Sequence, residues 1–84
     1  MIPRLTVLMS VYNSENFVAE AIESILNQTF TDFEFLIIND GSTDKSLSII
    51  KRYKDTRIRL ITRGNKGLVA SLNEGILKAK GKYI

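Results

Sequence analysis

The residues best suited to chemistry sit just after three short apolar runs. The run Phe35-Leu36-Ile37-Ile38 is followed directly by Asn39-Asp40-Gly41-Ser42-Thr43-Asp44. A carboxylate at such a strand end accepts hydrogen bonds. It repels a bare phosphate and suits an N–H or a hydroxyl, such as a pyrimidine imide or a ribose hydroxyl. The first run ends Met9-Ser10-Val11-Tyr12-Asn13. Tyr12 offers a ring for stacking on a flat base, and Ser10 a donor for a ribose or base oxygen. That turn contains no glycine, so its backbone cannot cradle phosphates as a P-loop or dinucleotide fingerprint does. The third run leads to Arg63-Gly64-Asn65-Lys66-Gly67, where Asn65, Lys66 and nearby amides at a helix start suit an anion such as a diphosphate. Each residue also has a plainer reading. Tyr12 can pack on the next helix, Asp40 can cap an Asp-Gly turn, and Lys66 can be a solvated loop residue. On the residues alone both kinds of reading stay open. The set as a whole is an inventory for a nucleotide, its base over the first two strands and its phosphates further along.

The elements that must position these groups alternate. Leu5 to Val11 is a near-continuous apolar run with β-branched members and reads as a strand buried on both faces. Ser14 or Asn13 is placed to cap a helix whose apolar face is Val18, Ala21, Ile22, Ile25 and Leu26. A second strand is expected over 33–38. A second helix follows, capped by Thr43 or Ser42 and assisted by Asp44, with Leu47, Ile50 and Tyr53 on one side. A third strand over 57–62 alternates more strongly, as an edge strand does. A third helix should bury Leu68, Leu72, Ile76 and Ala79, with Asn73 beside that face and Gly81 as a left-handed C-cap. Residues 82–84 read as the opening of a fourth strand. The order β-α-β-α-β-α-β implies an α/β fold, a three-layer α/β/α, Rossmann-like parallel sheet.

The chain has 84 residues, 44% hydrophobic and 25% charged, the composition of a globular domain. Cysteine and histidine are absent, which excludes a disulfide framework, a thiolate nucleophile, a zinc cluster and an imidazole base. The net charge is +3. Aromatic residues are not interleaved with the basic ones, so no nucleic-acid partner is expected. Solvated lysines account for the charge; a basic surface for peripheral membrane association is the sharper alternative. No apolar run approaches a membrane span, and no signal-peptide pattern is present.

Several ordered motifs together resemble the N-terminal part of a family 2 glycosyltransferase of the GT-A fold. They are Val7-Leu8-Met9-Ser10-Val11-Tyr12-Asn13, Ala21-Ile22-Glu23-Ser24-Ile25-Leu26-Asn27-Gln28-Thr29, Phe33 through Asp44, Gly64-Asn65-Lys66-Gly67, Leu72-Asn73-Glu74-Gly75-Ile76 and Ala79-Lys80-Gly81-Lys82-Tyr83-Ile84. The resemblance implies that residues 1–84 form the nucleotide-binding portion of one GT-A domain. It implies inverting transfer of a sugar from a nucleotide-diphosphate donor, usually a UDP-sugar, to a carbohydrate or lipid-linked acceptor. Tyr12 matches the residue that packs on the base, Ser10 a polar contact to the nucleotide, and Asp40 the base-reading aspartate. Asn65 and Lys66 lie where the family continues its donor pocket, and Asn39 stands where an acid is often found. The family's Mg²⁺ or Mn²⁺ ligands and its general base would follow residue 84. The chain is therefore expected to be a truncated piece that binds no metal, contains no catalytic residue and is inactive alone. The family setting is cytoplasmic, often at the inner face of the membrane. A sugar-phosphate nucleotidyltransferase would want a glycine-rich basic loop after the first strand. A receiver-like domain would want paired acids there. A non-catalytic interaction domain is the remaining rival.

Overall fold

The computed structural model describes residues 3–81. The elements are β1 (Leu5–Val11), α1 (Val18–Leu26), β2 (Phe33–Asp40), α2 (Ser46–Ile50), β3 (Ile58–Arg63) and α3 (Leu68–Lys78). The expected fourth strand at 82–84 lies outside the described residues. Among the described residues the three strands form one parallel sheet in the order β1-β2-β3. Every position of β2 is buried, as befits a central strand, including the polar Glu34, Asn39 and Asp40 that flank its apolar run.

Strand alternation sorts the side chains into two layers. Val7, Met9 and Val11 share a face with Phe35, Ile37, Ile58 and Leu60, and this face packs against Val18 and Ile22 of α1 and Ile50 of α2. Thr6, Leu8, Ser10, Glu34, Leu36, Ile38, Asp40 and Arg63 share the other face, which α3 covers. The result is the expected α/β/α sandwich. Asn39 and Asp40 pair with Thr62 and Arg63, so β2 runs two residues further than its apolar run.

Helix α3 packs by a different stripe from the apolar one. Leu68, Leu72 and Ile76 are 62%, 36% and 55% exposed, while Ser71 and Gly75 are buried against the sheet. The small residues recur at the same four-residue spacing, rotated one position round the helix. They let its backbone approach closely: a Cβ on Gly75 would lie 2.3 Å from a Leu8 methyl. Polar groups reinforce this orientation, because Arg63 donates to Ser71 and Glu74.

The helix ends also differ from expectation. Neither Asn13 nor Ser14 caps α1. The Asn13 side chain accepts from the Thr43 amide, and the Ser14 hydroxyl donates to the Tyr12 carbonyl. Ser42 and Thr43 do not cap α2; Asp44 accepts from the Ser46 amide at 2.9 Å instead. Gly81 has no left-handed conformation. Ala79 is extended, and the Gly81 amide donates to Thr6 Oγ1 at 2.8 Å, in a space too tight for a Cβ. Beside it Glu34 gathers the Thr6 hydroxyl, the Arg59 guanidinium and the Lys80 amide, pinning the exit of α3 to all three strands.

Candidate functional site

The loops leaving β1 and β2 are stitched together at the carboxyl end of the sheet. The Asn13 amide donates to Ser42 Oγ, and Asn13 Oδ1 accepts from the Thr43 amide at 2.7 Å. The Ser14 amide donates to Ser46 Oγ at 2.8 Å and the Glu15 amide to Asp44 Oδ2. Asn13 adopts φ 47°, a left-handed conformation that asparagine tolerates better than most residues. These bonds hold the turn that presents Tyr12, a residue 49% exposed.

Asp40, only 2% exposed, organises the neighbouring loop. Its Oδ1 accepts the Lys66 amide at 2.8 Å and ion-pairs with Arg63 Nη2 at 3.3 Å; its Oδ2 accepts the Gly67 amide at 2.9 Å. The Lys66 amide is the largest influence on its ionisation. With the Gly67 amide and the Arg63 charge it outweighs burial and holds the carboxyl below the usual aspartate range. Asp40 does act as a cap, but for the loop entering α3 rather than for the turn into α2. Gly41 makes this possible. It adopts φ 70°, and a Cβ there would lie 2.5 Å from the Asn65 amide nitrogen. The missing side chain thus lets the chain's own third loop pack directly on the Gly41 backbone.

A cleft of about 420 Å³ opens at this end, lined by Ser10, Tyr12, Ser14, Asp40, Asn65, Gly67 and Leu68. Four of the five residues singled out from sequence thus meet in one cleft. Lys66 is not among its lining residues; it is exposed and contributes its amide to Asp40. Leu68 and Ser14 are additions. Leu68 was read as core, and its exposure beside Tyr12 makes an apolar wall. Asn39 faces the other layer, where its Nδ2 donates to Thr62, so it does not reach the cleft. Asn73 is exposed on α3.

A second cleft, about 560 Å³, lies at the amino ends of the strands between Pro3, Asp32, Phe33 and Arg59. Its cations are already engaged. Arg57 is bound to Asp55 and lies 4.6 Å over the Phe33 ring, and Arg59 is bound to Glu34 and the Lys78 carbonyl. The cleft at the carboxyl ends is the one that offers unspent groups, and that end is where open parallel sheets bind ligands.

The family model for glycosyl transferase family 2 matches residues 6–84. The chain belongs to this family. The glycosyltransferase chain is 43% identical over its whole length to the uncharacterized glycosyltransferase EpsJ of Bacillus subtilis (strain 168), covering 25% of that protein. It is 40% identical to glycosyltransferase GlyA of Streptococcus pneumoniae serotype 4, over 96% of this chain and 12% of GlyA. Among solved structures, S. aureus TarS 1-349 superposes with a TM-score of 0.86 at 26% identity, covering 96% of this chain and 26% of that one. The mannosyltransferase PcManGT from Pyrobaculum calidifontis, solved in complex with GDP-Man and Mn2+, superposes with a TM-score of 0.77 at 24% identity, over 94% of this chain and 25% of that one. These likenesses bear out the GT-A fold. The chain spans about a quarter of the length of EpsJ and of both structures.

Among the described residues of this glycosyltransferase chain, no three acidic side chains come together as a metal site would require. These residues do not fit the divalent metal expected of the family. Among the same residues, no helix is long and apolar enough to cross a membrane.

Proposed function

We propose that residues 1–84 are the donor-binding portion of a GT-A domain that takes a UDP-sugar, with the uracil ring between Tyr12 and Leu68. The observation that carries this reading is the hydrogen-bonding state of Asp40. An ionised carboxylate has about four lone-pair directions. Two amides and Arg63 occupy three and the Ser71 hydroxyl adds a weaker contact, so at most one direction, on Oδ2, is left for a ligand. One acceptor suits the single imide N–H of uracil. Guanine presents two adjacent donors and calls for both oxygens, and cytosine has an acceptor where uracil has its imide.

Ser10 is then the polar partner of the nucleotide, with Asn65 at the cleft edge and the Lys66 ammonium on the phosphate side. The first turn of α3 has no side-chain cap, which leaves its amides for a diphosphate. Activity belongs to the whole protein: an acceptor hydroxyl displaces the UDP with inversion at the sugar carbon. Carbohydrate or lipid-linked acceptors and work at the cytoplasmic face of the membrane are part of the same proposal. So is a Mg²⁺ or Mn²⁺ held by residues outside the described set; for PcManGT the bound metal is Mn2+.

Thermal-shift and calorimetric titrations with UDP, GDP, CDP and ADP test the reading. UDP should stabilise the chain most and CDP least, and Asp40→Asn should abolish the difference between them. Equal responses to UDP and CDP in the wild type would refute it.

A further inference from the structure

Arg63 is the most heavily committed side chain near the cleft, yet it is not among the residues lining it. Its guanidinium is 12% exposed and joins three elements. Nη2 lies 3.3 Å from Asp40 Oδ1 at the end of β2 and donates to Ser71 Oγ of α3 at 2.6 Å. Nη1 donates to Glu74, one turn along α3, and Glu74 is also paired with Lys78 at 3.1 Å. Nε is buried with no partner. A buried arginine with one unsatisfied nitrogen is a poor stabilising device, because desolvation consumes much of what its ion pairs return. A planar fork that addresses two carboxylates and a hydroxyl at fixed angles is, in contrast, a good positioning device, and lysine cannot reproduce it.

We infer that Arg63 is the positioning residue of the donor pocket: it fixes the Asp40 carboxylate against α3 so that its one spare acceptor direction points into the cleft. The inference rests on the donor-site reading above. Arg63 touches no nucleotide in this account. It acts by keeping Asp40 charged and aimed, and it makes the position of α3 a condition of base recognition. The charged groups tied to Asp40 are Arg63 from β3, paired with it directly, and, through Arg63, Glu74 and Lys78 of α3; Lys66 from the loop gives its amide. The strand β1 and its turn contribute Ser10 and Tyr12, neither of them charged. Arg63 is therefore the nearest compensating charge, and it is shared with Glu74.

The test compares wild type, Arg63→Gln, Arg63→Lys and Glu74→Gln by NMR. The Lys66 and Gly67 amide protons report the titration of Asp40 without any ligand, and UDP titrations report affinity. In Arg63→Gln the Asp40 titration should move to higher pH. The UDP dissociation constant should rise on the order of tenfold, the scale of one lost charge-assisted contact. Arg63→Lys should restore the titration while leaving UDP binding weaker than wild type, because the charge returns without the fork. If Arg63→Gln fails to fold, Glu74→Gln still decides: with its competitor gone, Arg63 should shift the Asp40 titration further down. Unchanged titration and affinity in a folded Arg63→Gln, or an unmoved Asp40 titration in Glu74→Gln, would overturn the inference. A wild-type chain that binds no nucleotide would overturn the donor reading instead, and the Asp40 titrations would still decide whether Arg63 governs that carboxylate.

Discussion

Two adjacent residues of α3 make opposite predictions depending on which side of the helix meets the sheet. If the apolar stripe were the packed face, Ile76→Ala would open a cavity costing about 2–5 kcal/mol. Gly75→Ala would then gain about 0.8–1 kcal/mol of helix propensity. The structure reverses both. Ile76 is 55% exposed, so less than half of the roughly 1.5–3 kcal/mol for burying such a side chain is at stake. Alanine's better propensity returns part of that, leaving a loss of about 0.5 kcal/mol. At Gly75 a Cβ would lie 2.3 and 2.7 Å from the two Leu8 methyls and 3.0 Å from its Cγ. Leu8 must change rotamer or the helix must lift, an overpacking cost of about 1–3 kcal/mol against the propensity gain. The expected net loss is about 1 kcal/mol, or a fall of roughly 4–8 °C in Tm for a domain of this size. Urea denaturation followed by circular dichroism measures both variants. A stabilised Gly75→Ala together with an Ile76→Ala loss above about 2 kcal/mol would refute the packing described for α3.

Gly41→Ala forces a left-handed alanine against the Asn65 backbone, which cannot yield as a side chain can. A loss of about 2 kcal/mol or more and of UDP binding is expected in melts and titrations, and a neutral result would contradict the loop packing. Glu34→Gln should loosen the exit of α3, seen as faster amide exchange at Lys80 and Gly81 with little change in β2; unchanged exchange would count against the clasp. Acid should weaken the fold. Asp55 is lowered to about 2 mainly by its hydrogen bond from Arg57, and Glu34, Asp40, Asp44 and Glu74 are also held low. Such groups contribute stability that is full above the ordinary carboxylate range and lost as pH falls through the depressed values. Urea midpoints should thus be level near neutral pH and fall steadily below about pH 4; a midpoint that rises in that range would contradict these assignments. Tyr53→Phe removes the hydroxyl shared by the Ala19 carbonyl and Glu23, and should cost about 1 kcal/mol while leaving UDP affinity unchanged.

The layer order was readable because apolar runs of strand length alternate with helical spacing. The burial of Phe35 to Ile38 was visible in their unbroken apolar run, whereas nothing in the sequence marked the burial of Glu34 between Phe33 and Phe35. The orientation of α3 was not readable, because Leu68, Leu72 and Ile76 repeat with the same period as Ser71 and Gly75, and hydrophobicity favours the wrong stripe. What decides is the close approach of Gly75 to Leu8, far off in sequence, together with the Arg63 contacts to Ser71 and Glu74. Ser10, Tyr12 and Asp40 were readable as strand-end chemistry. The commitment of Asp40 to Lys66 and Gly67 was not, because an Asp-Gly turn suggests a local cap and its partners are 26 and 27 residues away. The role of Arg63 is not legible locally either, since nothing in the run Thr62-Arg63-Gly64 marks an arginine that pairs with Asp40 on the neighbouring strand.

The central claim is that the nucleotide lies at the carboxyl end of the sheet, over Tyr12 and against Asp40. Chemical-shift mapping of the chain during a UDP titration tests it most directly. The largest changes should fall at Ser10, Tyr12, Asn65, Lys66, Gly67 and Leu68, and should be absent in Asp40→Asn. Changes centred on Asp32, Phe33, Arg57 and Arg59, at the opposite end of the strands, would contradict it.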